Sequence, residues 1–412
     1  MSFIYRHGRI IMPLLLVVAF GLAVPVSAQS PSPSPDPAAA KDLGPRDAIS
    51  QKADEARQAG RLDEAITLYQ QAVKTRTEWL EGWWYLATLL YERDRYVEAK
   101  GAFQKAIELD PKRGAPVAML GLCEFELKDY EQSLSHLEQG RVLGIGDNIE
   151  LGSVVHYHDG ILLTHFGKFR EANQALTYLA HYQNASPKVL EALGLDVLEM
   201  PLFPGQTPPD KLDLVMKVGH AIFCTVARRP AEAKDAFEEL LAKYPTVPKL
   251  HYFYGVFLIT EQSDAAIEQF KRELEISPKD VYSVLRLANE YINRADYTNA
   301  QPYAEKAVQL AEGEAAPHIA LGRILVETGK IDEGINELEL AERFDDSSSK
   351  VHFALAHAYG RAGRKDDAKR ERELFLQLDA KERAQWGHSD GPADPISPGE
   401  APNSKPSDKP EK

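Results

Sequence analysis

The sequence predicts an all-α protein, an α-α superhelix of about nine helix-turn-helix units. Three observations carry that expectation. A 34-residue period runs through the middle of the chain. Two columns of that period hold only small residues in every unit. The prolines gather in both flanks and in one interior segment rather than through the repeating part. A chain of short repeats has no single globular centre, because each unit buries its apolar face on the next.

The 412 residues include 48 Lys+Arg, 62 Asp+Glu and 2 Cys, with a net charge of −14. At 44% hydrophobic residues the chain can bury a core. Its acidity argues against a nucleic-acid binder, which would show a basic face. Two cysteines exclude a disulfide scaffold and a multi-cysteine metal module.

Residues 1–28 read as a secretory signal. Arg6 and Arg9 form a basic start, Ile10–Val24 is an apolar run, and Val26-Ser27-Ala28 supply small residues for cleavage. Cleavage removes both arginines and takes the charge from −14 to −16. An uncleaved membrane anchor is the competing reading, since the 19 residues Ile10–Ala28 just reach bilayer length. Residues 29–45 form a Pro/Ser/Ala-rich linker, and 388–412 a disordered tail.

The repeat frame falls at 46–79, 80–113, 114–147 and 153–186, then at 214–247, 248–280, 281–314, 315–348 and 349–382. Position 8 reads Ala53, Ala87, Gly121, Gly160, Ala221, Gly255, Ala288, Gly322 and Ala356. Position 20 reads Ala65, Ala99, Ser133, Ala172, Ala233, Ala266, Ala300, Gly334 and Ala368. Two helices cross closely only where neither carries a bulky side chain. Position 24 supplies large knobs, among them Tyr69, Phe103, Phe237 and Phe270. Gly60, Asp94, Gly167, Gly329 and Gly363 mark the turns between the two helices of a unit. Residues 187–213 break the array with a short helix and a Pro-rich loop containing Pro201, Pro204, Pro208 and Pro209. That segment either caps a joint in the solenoid or offers a hinge or binding loop. Residues 214–387 complete the array, ending in a polar cap rich in Lys, Arg and Glu.

The stretch Leu80–Arg113, with Trp83, Leu86, Ala87, Tyr96, Ala99, Phe103, Ala106 and Pro111 at fixed positions, closely resembles the tetratricopeptide (TPR) repeat. The resemblance implies a right-handed solenoid whose concave groove is lined by the first helix of each unit, and an exported bacterial type of the family. In the family, positions 2, 5, 9, 12 and 13 face the groove. Carried over, they are Trp84, Tyr91, Phe125, Tyr157 and Tyr252, followed by the more polar Asn289, Arg323, Phe353 and His357. Each of these has a second reading as contact with the neighbouring repeat. The Lys/Asn carboxylate clamp of chaperone-binding relatives is not present as a set: Trp84 and Thr88 stand at its positions in repeat 2, and Leu285 and Asn289 in repeat 7.

No nucleophile elbow, phosphate loop, dinucleotide fingerprint or HExxH motif occurs, so the expectation is a non-enzyme with no cofactor and no metal. His156, His251, His318 and His352 share position 4, which points to packing between helices. Cys123 and Cys224 lie two repeats apart and should be free, buried thiols. The expected function is a protein–protein interaction scaffold of the periplasm or exterior, binding a protein or peptide in its groove. The alternative is a structural subunit of an envelope assembly or polysaccharide-export apparatus. Nucleic-acid partners and membrane insertion after cleavage are not expected.

Overall fold

The computed structural model describes residues 48–145, 149–181, 184–259 and 262–386, with the backbone alone for 382–386. The expected signal, the whole of the linker and the tail lie outside the described residues. Among the described residues, nineteen α-helices follow one another. Repeats 1–4 pair α1 (Ala48–Gln58) with α2 (Leu62–Thr75), α3 (Leu80–Glu92) with α4 (Tyr96–Leu109), α5 (Gly114–Glu126) with α6 (Tyr130–Leu143), and α7 (Ile149–His165) with α8 (Phe169–His181). The extra helix α9 (Pro187–Val197) follows. Repeats 5–7 pair α10 (Pro209–Val226) with α11 (Pro230–Lys243), α12 (Leu250–Leu258) with α13 (Ser263–Ile276), and α14 (Val281–Asn293) with α15 (Tyr297–Leu310). Repeats 8 and 9 are α16 (Ala315–Glu327) with α17 (Ile331–Phe344), and α18 (Ser349–Arg361) with α19 (Lys365–Trp386).

The two small columns meet as the period requires. A Cβ on Gly322 would sit 2.9 Å from the Gly334 carbonyl oxygen, and one on Gly334 2.8 Å from that of Gly322. In repeat 3 the same approach is bonded: Ser133 Oγ donates to the Gly121 carbonyl at 2.8 Å. Every residue of both columns is buried except Ala368, half-buried in the last described helix. The position-24 rings of Tyr69, Phe103 and Phe270 are fully enclosed.

The turn inside a repeat is also periodic. Position 15 has positive φ at Gly60, Asp94, Lys128, Gly167, Arg228, Ala295, Gly329 and Gly363. Around it the chain closes a paired hydrogen-bond cap: Arg61 N bonds Ala56 O, and Gly60 N bonds Arg57 O. Repeat 6 is one residue short between its two helices, and Thr260 and Glu261 there lie outside the described residues. Left-handed backbone costs an L-residue about 1–2 kcal/mol. Ala295, at φ 56° and exposed, carries that strain with no side-chain bond of its own to offset it. Ala295→Gly should raise stability by ~1 kcal/mol, read as a higher urea midpoint at unchanged slope.

The interruption is more structural than the sequence reading had it. Helix α10 begins at Pro209, not at residue 214, because a proline at the first helical position needs no N–H partner. Helix α9 ends as the first helices do: Met200 N bonds Leu195 O, and Glu199, at φ 51°, bonds Asp196 O. It then lies directly on α10. A Cβ on Gly194 would fall 2.0 Å from the Val215 carbonyl oxygen, and one on Gly219 1.8 Å from that of Leu190. Two glycines thus let the backbones touch, and α9 becomes a member of the stack that joins repeats 4 and 5.

Two polar residues stand where the period calls for apolar ones. Glu124 is buried but paired, 2.8 Å from Lys100 Nζ and 2.6 Å from His136 Nδ1. Asp159 lies 3.5 Å from Arg141 Nε, and burial pushes its pKa up to about 6.

Candidate protein-interaction groove

The predicted groove residues divide into three environments. Near the N-terminal end, Trp84 and Tyr91 are half-buried. Trp84 sets its ring edge-on to Phe103 at 5.7 Å, and Tyr91 meets Tyr96 at 5.3 Å. Burial holds the Tyr91 hydroxyl well above the usual phenol pKa.

In repeats 3 and 4 the chain fills its own groove. Phe203, from the loop between α9 and α10, stacks on His165 at 4.4 Å and lies 5.0 Å from Tyr130 and 5.9 Å from Phe125. Phe125 is further enclosed by the His158 ring at 4.7 Å. Glu191 of α9 fixes this loop, its Oε1 accepting from Gly205 N at 2.8 Å and Thr207 Oγ1 at 2.6 Å. Tyr157 is half-buried beside His158, ring centres 5.3 Å apart. Burial pulls the His158 pKa down to about 4, and burial raises that of Tyr157. Phe125 is therefore a packing residue in this structure, and its cover was not foreseen. The signal was an aromatic residue between Pro201 and Pro204 in a stretch read as plain loop.

Tyr252, expected to line the groove, is buried instead. It is 3% exposed, enclosed by Phe253 at 5.2 Å, Phe270 at 6.0 Å and Tyr282 at 6.1 Å. It forms the floor of a cleft of about 470 Å³ bounded by Arg170, Asn173, Asp196, Lys249 and Tyr282. Arg170 Nη2 donates to the Tyr282 hydroxyl at 3.2 Å, joining residues 112 apart in sequence. The solenoid thus curls far enough for repeat 4 to touch repeat 7. Lys249 Nζ sits between Glu199 Oε1 at 3.2 Å and Asp280 Oδ1 at 3.3 Å. Asp196 is 2% exposed, and burial pushes its carboxyl pKa up to about 8. Its Oδ2 accepts from Asn173 Nδ2 at 3.1 Å, while Oδ1 has no partner.

The C-terminal repeats are open. Phe353 is 58% exposed, its ring 5.3 Å from Phe375. One helical turn on, exposed His357 points Nε2 to within 3.6 Å of Glu327 Oε1. Arg361 Nη1 reaches Glu327 Oε2 at 3.2 Å. Arg323 and Asn289 are half-buried on the preceding repeats, and burial draws the Arg323 pKa down. An apolar ring beside exposed, mutually paired charges suits recognition of a protein segment.

Three position-4 histidines build one device. Nε2 meets the backbone carbonyl six residues earlier: His251 to Pro245 at 3.1 Å, His318 to Glu312 at 2.9 Å and His352 to Asp346 at 2.8 Å. Nδ1 meets the second helix of the same repeat at Gln269, Glu337 and Glu371, at 2.6, 2.7 and 2.8 Å. Each ring fastens the preceding loop to its own repeat. Glu342, His352 and Glu371 are also close enough to share a metal ion, but both nitrogens of His352 are engaged in these bonds.

Burial of the His352 ring opposes its charge. The Asp346 carbonyl and the Glu371 carboxylate, with Glu342 nearby, outweigh that, so the pKa is raised. A histidine with a raised folded pKa stabilises fully below its unfolded value of about 6.5 and loses that contribution as pH rises through the folded value. His352→Gln should flatten this decline in a series of urea midpoints taken upward from about pH 6.5.

A stack of paired helices with a periodic turn, carrying a face of ring and charge, defines the class of helical-repeat solenoids. Tetratricopeptide-repeat models match residues 50–114, 226–281 and 281–314. With the repeat register observed, the described helices form a tetratricopeptide-repeat superhelix. It is similar to human protein O-mannosyl-transferase TMTC3, 25% identical over 269 residues, covering 62% of this chain and 29% of that protein. It is also similar to anaphase-promoting complex subunit 3 of Schizosaccharomyces pombe, 23% identical over 283 residues, covering 64% of this chain and 40% of the other. The chain thus spans less than half the length of these curated relatives. Among solved structures, a MamA fragment of Desulfovibrio magneticus RS-1 is 23% identical with a TM-score of 0.36, covering 42% of this chain and 96% of that one. A MamA crystal structure is 16% identical at a TM-score of 0.36, covering 43% and 98%.

Proposed function

We propose that this protein is an exported, non-catalytic scaffold that holds a segment of a partner protein against the groove face of repeats 7–9. The observation that carries the reading is Phe353, exposed beside His357, Glu327 and Arg361 while the corresponding face of repeats 3 and 4 is covered by Phe203. A half-exposed ring gains by burial on binding at about 25 cal/mol per Å² removed from water, and the charged rim sets register. Export rests on Arg6, Arg9 and the run Ile10–Ala28. Among the described residues, no helix is long and apolar enough to cross a membrane.

The test is quantitative affinity capture from native extract with the wild-type chain and with Phe353→Ala/His357→Ala. Both positions are exposed, so the variant should keep its helical circular dichroism. Loss of the same protein partner from the variant supports the reading. A variant that retains every partner of the wild type contradicts it. Export is tested separately by N-terminal sequencing of chain recovered from outside the cytoplasm, expected to begin at Gln29.

A further inference from the structure

Positions 7 and 11 of a repeat normally hold apolar residues that bury one face of the first helix. Leu86 and Leu90 do so in repeat 2, as do Leu321 and Leu325 in repeat 8. Repeat 5 departs at both positions, with His220 and Cys224 on α10. Residues four apart share a helix face, and here His220 Nε2 lies 3.5 Å from Cys224 Sγ. The first turn of α11 adds Glu232, and ligand atoms of all three residues lie within 4.8 Å of one another. Sequence reasoning passed over this group because its third member is on another helix.

We propose that His220, Cys224 and Glu232 form a binding site for zinc(II). Zinc bonds of about 2.3 Å to sulfur and 2.0–2.1 Å to nitrogen, at a tetrahedral angle, span an N···S edge of about 3.5 Å. The observed separation matches that edge before any ion is added. One imidazole, one thiolate and one carboxylate make a borderline-soft set that balances the charge of a divalent ion. His220 and Glu232 are exposed and give the ion a path, while Cys224 is buried beneath them. Coordination replaces the thiol hydrogen with the metal, and the proton passes to solvent. Arg229, 3.5 Å from Glu232, neighbours the site and competes for the carboxylate. The Glu342, His352 and Glu371 group differs, because its ring nitrogens are both committed to the repeat-locking bonds. Neither nitrogen of His220 is bonded in that way; Nε2 meets only the thiol.

The test uses the purified full chain, stripped with a chelator, and cobalt(II) as a spectroscopic probe. One equivalent should give tetrahedral visible bands with a thiolate-to-cobalt charge-transfer band, and zinc should displace it. Cys224→Ser should abolish the charge-transfer band, while Cys123→Ser leaves it intact. His220→Ala and Glu232→Gln should each weaken zinc binding by at least about tenfold, the loss that even a supporting residue can cause. Both are surface changes, so they remain informative if Cys224→Ser fails to fold. An octahedral spectrum without a charge-transfer band would overturn the proposal. So would a band that survives Cys224→Ser, or zinc affinity unchanged in both surface variants.

Discussion

Gly219→Val should lower stability by roughly 3 kcal/mol or more, the upper end of the effect of overpacking. Even a Cβ at this position would stand 1.8 Å from the Leu190 carbonyl oxygen and 2.7 Å from its carbon. No rotamer relieves such a clash, because the obstacle is backbone. Helices α9 and α10 would have to separate, drawing Glu191 and the loop that carries Phe203 away from repeats 3 and 4. Urea denaturation should show the loss of stability, and limited proteolysis should cut first between residues 198 and 208. Gly101→Ala is the control. This glycine lies exposed inside α4 with nothing within 4 Å of a Cβ, so alanine should stabilise by ~0.5–1 kcal/mol. Equal, small effects at both glycines would contradict a joint built on direct helix contact.

Asp196→Asn should stabilise the protein at neutral pH by roughly 2–4 kcal/mol. Burial is the main cause of a carboxyl pKa near 8, against about 3.9 in the unfolded chain. Between those values the folded state keeps a proton that the unfolded chain has released. The unfolded state then binds fewer protons, so stability falls as pH rises through the window from about 4 to 8. Asparagine removes the titration and can still accept from Asn173 through its amide oxygen, where Oδ2 now does so at 3.1 Å. Stability curves for the two proteins should diverge as pH climbs toward 8 and converge near pH 4. Parallel curves would mean that Asp196 is not desolvated as the structure places it.

The repeats were legible because close helix crossing restricts residue type so strongly. Eighteen small residues at two positions leave few other architectures, and pairs such as Gly322 with Gly334 show why. The cap geometry is legible where glycine, or Asp94, marks it. Lys128, Arg228 and Ala295 adopt the same left-handed turn, imposed by the paired cap bonds rather than favoured by their side chains. At the joint, Pro208 and Pro209 were read as loop, although a proline can open a helix as readily as it ends one. The groove was the least legible part. Position 5 names Tyr252 and Phe353 alike, but Tyr252 is enclosed by repeat 7 and Phe353 faces outward near the end of the array. Exposure at a groove position depends on how far the solenoid curls and on what the interruption lays across it. Those are contacts between residues as distant as Arg170 and Tyr282, and no repeat register contains them.

A chain with nine repeats can present two broad faces, and the proposed binding face lies on the first helices of repeats 7–9. Site-specific photo-cross-linking tests this most directly. A photoreactive phenylalanine analogue would replace Phe353 in one sample and Val97 in another, Val97 being 71% exposed on a second helix. In native extract the label at 353 should yield a discrete adduct with another protein, and the label at 97 should yield none. No adduct at 353, or the same adducts from both positions, would contradict a scaffold that binds through this groove.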